Sequence, residues 1–412
     1  MSLGGIPEAL RNGHWPTLIA AWLHLTVSFM VWVLLGALMV AIGADLHLSP
    51  AQQSFLVALP LLTGAGLRIV AGWACDWWGA KSTGLAVLGL QLVALLWGWV
   101  GATSYLELLA VGALLGLGGA SFAVALPIAS RSYPPAHQGL VLGLVASGNI
   151  GTVFSLALAP RLDAIAGWHG VFALMAGPVL AALACFAVMV RQDRQPRMQR
   201  PAHLWWQALI HMMGQRGVYW LAALYGLTFG GFVGLASFLP LYFHEGYGLG
   251  QVLAGSVTAG CSLIGSVIRP AGGYLADRWG GLRMLAAVLS GIAGVVLAAG
   301  HAPSLFWAAG WFLLAVGLMG VGNGILFQIV AEWYPREIGL ASGLVGAAGS
   351  LGGFFIPVWF SGIRELTGSY GPGWVLLALL SALAALSIAF VDRQSSATTP
   401  ESRKTAAFPV DT

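Results

Sequence analysis

Long apolar stretches, each near the length of a membrane crossing, follow one another along almost the whole chain with only short polar breaks between them. A spanning helix needs about 20 apolar residues. Windows of that kind fall near residues 17–42, 52–75, 84–103, 106–129, 138–160 and 168–190, then near 218–243, 250–276, 282–300, 304–330, 338–361 and 371–391. A polar stretch, 191–216, separates the two sets of six. The pattern predicts an all-α membrane protein with twelve transmembrane helices in two six-helix halves, 1–190 and 217–393. The stretch 191–216 is then an inter-half loop, and 394–412 a polar, disordered tail. Within the loop, HLWWQALIHMMGQ reads either as an amphipathic surface helix or as a plain linker. The segment before residue 17 is polar, and the first apolar run is too long for the core of a signal peptide.

Basic residues set the orientation. Of the 18, 14 fall on one side of this arrangement, two (Arg161 and Arg364) on the other, and Arg68 and Arg269 lie inside spans. Both termini and the 191–216 loop are therefore expected on the cytoplasmic side of an inner (plasma) membrane. Composition agrees with burial in lipid: 58% of the 412 residues are apolar, 8% are charged, and mean hydropathy is +0.84. Soluble domains carry about 25% charged residues. A cytosolic enzyme, a nucleic-acid binder and a disordered chain are excluded. Cys75, Cys185 and Cys261 are too scattered for a disulfide framework or a metal cluster, and no nucleophile–base pair or phosphate loop is present. No cofactor, metal or enzymatic activity is expected.

The two halves repeat. LRIVAGWACDWWGAK (67–81) and IRPAGGYLADRWGGLR (268–283) align so that Arg68 matches Arg269, Gly72 Gly273, Asp76 Asp277 and Gly79 Gly280, all 201 residues apart. The same offset joins Gly116 to Gly317, Gly119 to Gly320 and Gly151 to Gly352. One offset across three helices implies duplication, and six spans per half make the copies parallel. The run Gly273, Asp277, Arg278, Gly280, Arg283 resembles the loop signature of the major facilitator superfamily, with Gly72 and Asp76 in a degenerate first copy. That resemblance implies the superfamily's fold. The glycines permit a tight turn, and the aspartate can cap a helix or pair with an arginine to hold one transport state. These are expected to be gating and structural residues.

Arg68 and Arg269 carry the candidate chemistry. Each lies eight residues before its loop aspartate, about 12 Å deeper at 1.5 Å per residue, near the middle of a hydrocarbon core about 30 Å thick. An arginine there costs on the order of 2.5–3.5 kcal/mol on insertion scales. The 14 acidic residues all fall in loops, termini or span ends. Two symmetric cations without a midplane carboxylate call for an anion from solution, and guanidinium forks suit planar oxyanions. Hydrogen bonding of the arginines to helix carbonyls is the bland alternative. His24 is the one histidine inside a span and reads as a packed residue rather than a proton relay.

Glycine is abundant, 58 residues. Gly139, Gly143, Ser147 and Gly151 recur every four residues in the fifth span, and Gly339, Gly343 and Ala347 in the eleventh. Such faces let helix backbones approach closely, either as packing or as smooth surfaces for rocking. The runs GLGGASFAVALPIASRSYPPAHQGLVLGLVASGNIGTVF (116–154) and GVGNGILFQIVAEWYPREIGLASGLVGAAGSLGGFFIP (320–357) resemble the paired signatures of the nitrate/nitrite porter family. The first, reading G-A-S-F-A-V-A-L, is less polar than is usual there. The resemblance implies that Arg68 and Arg269 bind the substrate, that Phe122 sandwiches the planar ion, and that Asn149 donates an amide hydrogen bond. It further implies a lining of Tyr225 and Phe229, with Phe29 as a first-span aromatic and Asn323 as a second amide. For the aromatics, core filling is the alternative, and for Asn323 helix packing. The implied function is nitrate and nitrite transport by alternating access in a monomer embedded in lipid. Anion exchange is favoured over proton symport and over transport of another small anion such as a carboxylate.

Overall fold

The computed structural model describes residues 13–134, 138–191, 202–334 and 338–397, and among them the regular structure is helical throughout. Eleven helical runs among the described residues are long and apolar enough to cross a membrane: Trp15–Asp45, Pro50–Trp78, Ala80–Val100, Tyr105–Arg131, Val141–Met189, Arg216–Tyr247, Gln251–Ala276, Gly281–Gly300, Leu305–Val330, Leu340–Thr367 and Gly371–Val391. The fifth of these has 49 residues, about 74 Å at 1.5 Å per residue, more than twice a hydrocarbon core of about 30 Å. Gly167, at φ 69° and ψ 161°, breaks it into two helices. The twelve expected crossings are thus all present, two of them joined by one glycine.

Local signals explain the helix starts. Ser49 accepts from the Gln52 amide while Gln52 reaches back to the Ser49 N–H, and Ser104 and Glu107 do the same before the fourth span. The loop glycines of the duplicated motif, Gly79 and Gly280, have φ 89° and 90° with ψ 148° and 125°. Only glycine tolerates that backbone readily, which is why both copies keep it. The segment left open between linker and helix is helical over Ala202–Gly214, while 192–201 lies outside the described residues. The last helix continues to Ala397, into the expected tail, whose remainder lies outside them as well.

Contacts sort the chain into two compact units, one of Met1–Gln199 with Ala236–Ala259, the other of Arg200–Leu235 with Gly260–Thr412. In the first, the first span runs against the fourth and fifth so closely that a methyl on Gly118 would meet the Ser28 carbonyl, and one on Gly151 the Thr26 carbonyl. Buried polar groups there find partners: Gln91 Nε2 donates to Ser28 Oγ at 3.1 Å, and Trp32 Nε1 to the Pro60 carbonyl at 2.8 Å. Residues 236–259 are held in the same unit by close backbone approach of Gly36 to Ser237 and of Gly255 to Leu156, and by Arg161 Nη2 donating to Ser256 Oγ at 3.0 Å. In the second unit, a methyl on Gly320 would meet the Gly265 carbonyl, and one on Gly324 the Arg269 carbonyl. Trp374 is wedged there between Phe360 and Phe312, at ring-centroid distances of 4.2 and 4.9 Å.

Candidate functional site

Several spans are interrupted, and the residues singled out from the sequence cluster at the interruptions. The fourth span divides into Tyr105–Leu115, Leu117–Ala120 and Phe122–Arg131. Glycine-rich sequence weakens the helix here, and Ser121 Oγ bonds back to the Gly118 carbonyl at 2.6 Å. Arg68, in Pro50–Trp78, is 3% exposed and directs both Nε and Nη2 at the Gly119 carbonyl, at 3.0 and 2.9 Å. Its guanidinium carbon lies 5.4 Å from the centre of the Phe122 ring, within cation–π range. Phe29 continues the aromatic wall, 6.4 Å from Phe122 and 5.0 Å from Trp32. The carbonyl contact raised as the bland alternative for the arginines is therefore made by Arg68, together with the expected aromatic contact.

Asn149 is fully buried in a 3₁₀ turn, Ser147–Ile150, that interrupts the fifth span. Its neighbour Gly148 packs against Leu25, one helical turn from Phe29. The first unit therefore gathers Arg68, Phe122 and Phe29 into one contact chain, with Asn149 on the helix beside it.

In the second unit Arg269 opens the helix Arg269–Trp279, after a break at Ile268 and with Pro270 in the first turn. It is 7% exposed. Its guanidinium carbon lies 5.4 Å from the Phe229 ring centre and 5.3 Å from that of Phe232. The seventh span changes from α to π winding over Gly226–Gly230, a local widening found often at functional positions. Tyr225 and Phe229 stack across it, centroids 5.0 Å apart and planes within 3°. Phe327 meets Tyr225 edge-on at 5.1 Å. Asn323, one turn before Phe327, is 2% exposed, and neither its Nδ2 nor its Oδ1 has a hydrogen-bond partner among the described residues.

Phe232 and Phe327 were not read from the sequence as site residues. Phe232 follows Phe229 at helical spacing, and Phe327 follows Asn323 by one turn, so the signal was present but indistinguishable from aromatic core. A cavity of about 470 Å³ lined by Pro160, Arg161, Asp163, Gln251 and Ser256 contains none of the expected site residues.

Asp76 pairs with Arg131 at 3.9 Å within the first unit, both side chains about half exposed. Arg278 donates weakly to the Tyr274 hydroxyl at 3.5 Å, and Arg283 is exposed. The side chain of Asp277 lies outside the described residues, as do those of the segments holding Gly139 and Gly339. Packing of the glycine stripe is observed at Gly151. Gly72, Gly273, Gly143 and Gly343 have no described atom within 4 Å of where a methyl would stand, so close helix approach does not explain those four.

Residues 21–330 match the family model described as Major Facilitator Superfamily. The chain belongs to that superfamily. Its architecture matches a crystal structure of a D-xylose–proton symporter with TM-score 0.75 at 16% identity, covering 91% of this chain and 97% of that one. Such a likeness speaks for the superfamily fold alone. Among curated proteins, this superfamily member is 34% identical over 384 residues to a probable nitrate/nitrite transporter of Mycobacterium tuberculosis, covering 89% of this chain and 93% of the relative. It is 33% identical over 362 residues to a nitrite extrusion protein of Bacillus subtilis, covering 86% and 89%. A probable nitrate/nitrite antiporter of Thermus thermophilus shares 30% over 416 residues, covering 92% and 91%. As a superfamily member the protein is a multi-pass membrane transporter rather than an enzyme.

Proposed function

We propose that this protein carries nitrate and nitrite across the bacterial inner membrane, exchanging one for the other by alternating access. The observation that carries the reading is the repeated arginine: one guanidinium from each duplicated half, buried at span depth with aromatic rings 5.3–5.4 Å away. A desolvated guanidinium is stabilised by a counter-anion, and its planar fork suits a planar oxyanion whose oxygens only accept. Arg68 and Arg269 are each an anion donor, the first beside the apolar walls of Phe122 and Phe29 with Asn149 as an added amide donor in its unit, the second beside those of Tyr225 and Phe229 in its own. The curated relatives named for nitrate and nitrite support the substrate class.

Exchange follows from charge. Without an anion, the carrier would have to switch states carrying two buried guanidinium charges, each costing on the order of 2.5–3.5 kcal/mol in the hydrocarbon region. A bound monovalent anion lowers that cost, so switching is coupled to occupancy. In this reading the two termini face the cytoplasm, which the bias of basic residues supports, the six-helix halves divide at 191–216, and the working unit is the monomer in lipid. Proteoliposomes loaded with nitrite should accumulate external nitrate with matching nitrite release. Equal uptake into empty vesicles driven only by a pH gradient would replace exchange with proton symport.

A further inference from the structure

The duplication that relates Arg68 to Arg269 also relates Phe122 to Asn323, with the same offset of 201 residues. In the first copy that position holds the ring packed over the arginine, 5.4 Å from its guanidinium carbon. In the second copy the rings over the arginine come from the seventh span, Phe229 and Phe232. Position 323 is thereby relieved of stacking, and it holds a primary amide.

That amide is in an unusual condition. Asn323 is 2% exposed, yet both its Nδ2 and its Oδ1 lack partners among the described residues. The large majority of buried polar side-chain atoms in native proteins are hydrogen-bonded, because leaving one unpaired costs about as much as desolvating it outright. The flanking glycines make close contacts with neighbouring helices. A methyl on Gly324 would meet the Arg269 carbonyl, and one on Gly322 would meet Thr228 of the seventh span. Asn323 occupies the sector between those two directions. Phe327, four residues on and on the same stripe, touches Tyr225, which stacks on Phe229 beside Arg269.

We infer that Asn323 is a substrate-binding residue of the second half, its Nδ2 donating a hydrogen bond to an oxygen of an anion held by Arg269. The inference rests on the reading of Arg269 as a substrate cation. It deepens that reading by making the two copies chemically unlike: where the first offers a hydrocarbon ring, the second offers an N–H donor. An acceptor-only oxyanion satisfies that donor. A ligand presenting a methyl group at the same place, such as acetate, does not.

The test uses the purified full-length protein, with isothermal titration of nitrate, nitrite and acetate and with melting temperatures recorded without anion. Asn323→Leu removes the donor at nearly constant volume. It should melt at or above the wild-type temperature without anion, because it deletes an unpaired buried amide, and should bind nitrate about 10- to 150-fold more weakly, the usual range for a hydrogen bond to a charged group. Its preference for nitrate over acetate should fall as well. Asn323→Ser and Asn323→Ala differ by one hydroxyl and report the donor even if the leucine variant does not fold; the serine variant should bind more tightly. Leucine-variant affinity within twofold of wild type, or equal binding by the serine and alanine variants, overturns the assignment. Arg269→Lys is the reference: weak binding there with normal binding in the Asn323 variants sinks Asn323 alone, whereas normal binding in all of them sinks the parent reading too.

Discussion

Arg68→Lys separates a structural arginine from a substrate arginine. In the folded chain, Nε and Nη2 converge on the Gly119 carbonyl at 3.0 and 2.9 Å, which fixes the plane of the guanidinium against the Phe122 ring. A lysine keeps the charge, so its cost in the membrane stays near that of arginine, about 2.5–3.5 kcal/mol on insertion scales. Yield and helicity should therefore not change. The fork is lost, because an ammonium is a point charge on a flexible stem. At least one charge-assisted hydrogen bond to the anion disappears, about 1.5–3 kcal/mol, or roughly 10- to 150-fold in Kd. The assay is nitrate titration of the purified variant, paired with melting in the absence of anion and with nitrite-loaded vesicles. If Arg68 serves only to tie its helix to the fourth span, melting without anion falls while Kd per folded molecule stays within threefold. That pattern would refute the substrate role.

The remaining predictions concern the scaffold. Asp76→Asn should lower stability by less than ~1 kcal/mol, because the 3.9 Å pair with Arg131 is about half exposed on both sides and screened; thermal unfolding of the purified variant checks this. Gly324→Ala should destabilise by about 1–3 kcal/mol, the usual cost of overpacking, since its methyl collides with the Arg269 carbonyl; it should also weaken nitrate binding by displacing Arg269. Gly343→Ala, with no described atom within 4 Å of the added methyl, should be neutral or should stabilise by about 0.4–1 kcal/mol through the unfolded chain. Equal melting of the two alanine variants would show that the close approach at Gly324 is not limiting.

Hydropathy and the 201-residue offset make the crossings, the duplication and the two arginines legible in the sequence, because lipid burial demands long apolar runs and leaves intramembrane charge conspicuous. The turn at Gly167 was placed only approximately, since the polar marks, Arg161 and Asp163, lie within the helix before it and the glycine itself leaves none. The breaks at Ser121, Ser147–Ile150 and Gly226–Gly230 were not legible at all. Apolar periodicity reports which face is buried, and these spans are apolar nearly all round, so a local change of winding leaves no trace in it. Phe232 escaped notice for the same reason: in a chain this rich in aromatics, a ring over a guanidinium and a ring filling the core look alike. Asn323 was legible as an amide in an apolar run, but its lack of hydrogen-bond partners among the described residues is a property of the packed structure.

The π-wound turn at Gly226–Gly230 has a bearing on how this protein can change. Each π turn holds one residue more than an α turn needs, so the superimposed rings of Tyr225 and Phe229 reflect a surplus of chain length rather than any particular side chain. Exchanging one amino acid for another leaves that surplus in place, whereas deleting one residue restores regular winding and swings one ring off the other. The geometry of this aromatic wall is therefore robust to point substitution and fragile to a one-codon deletion.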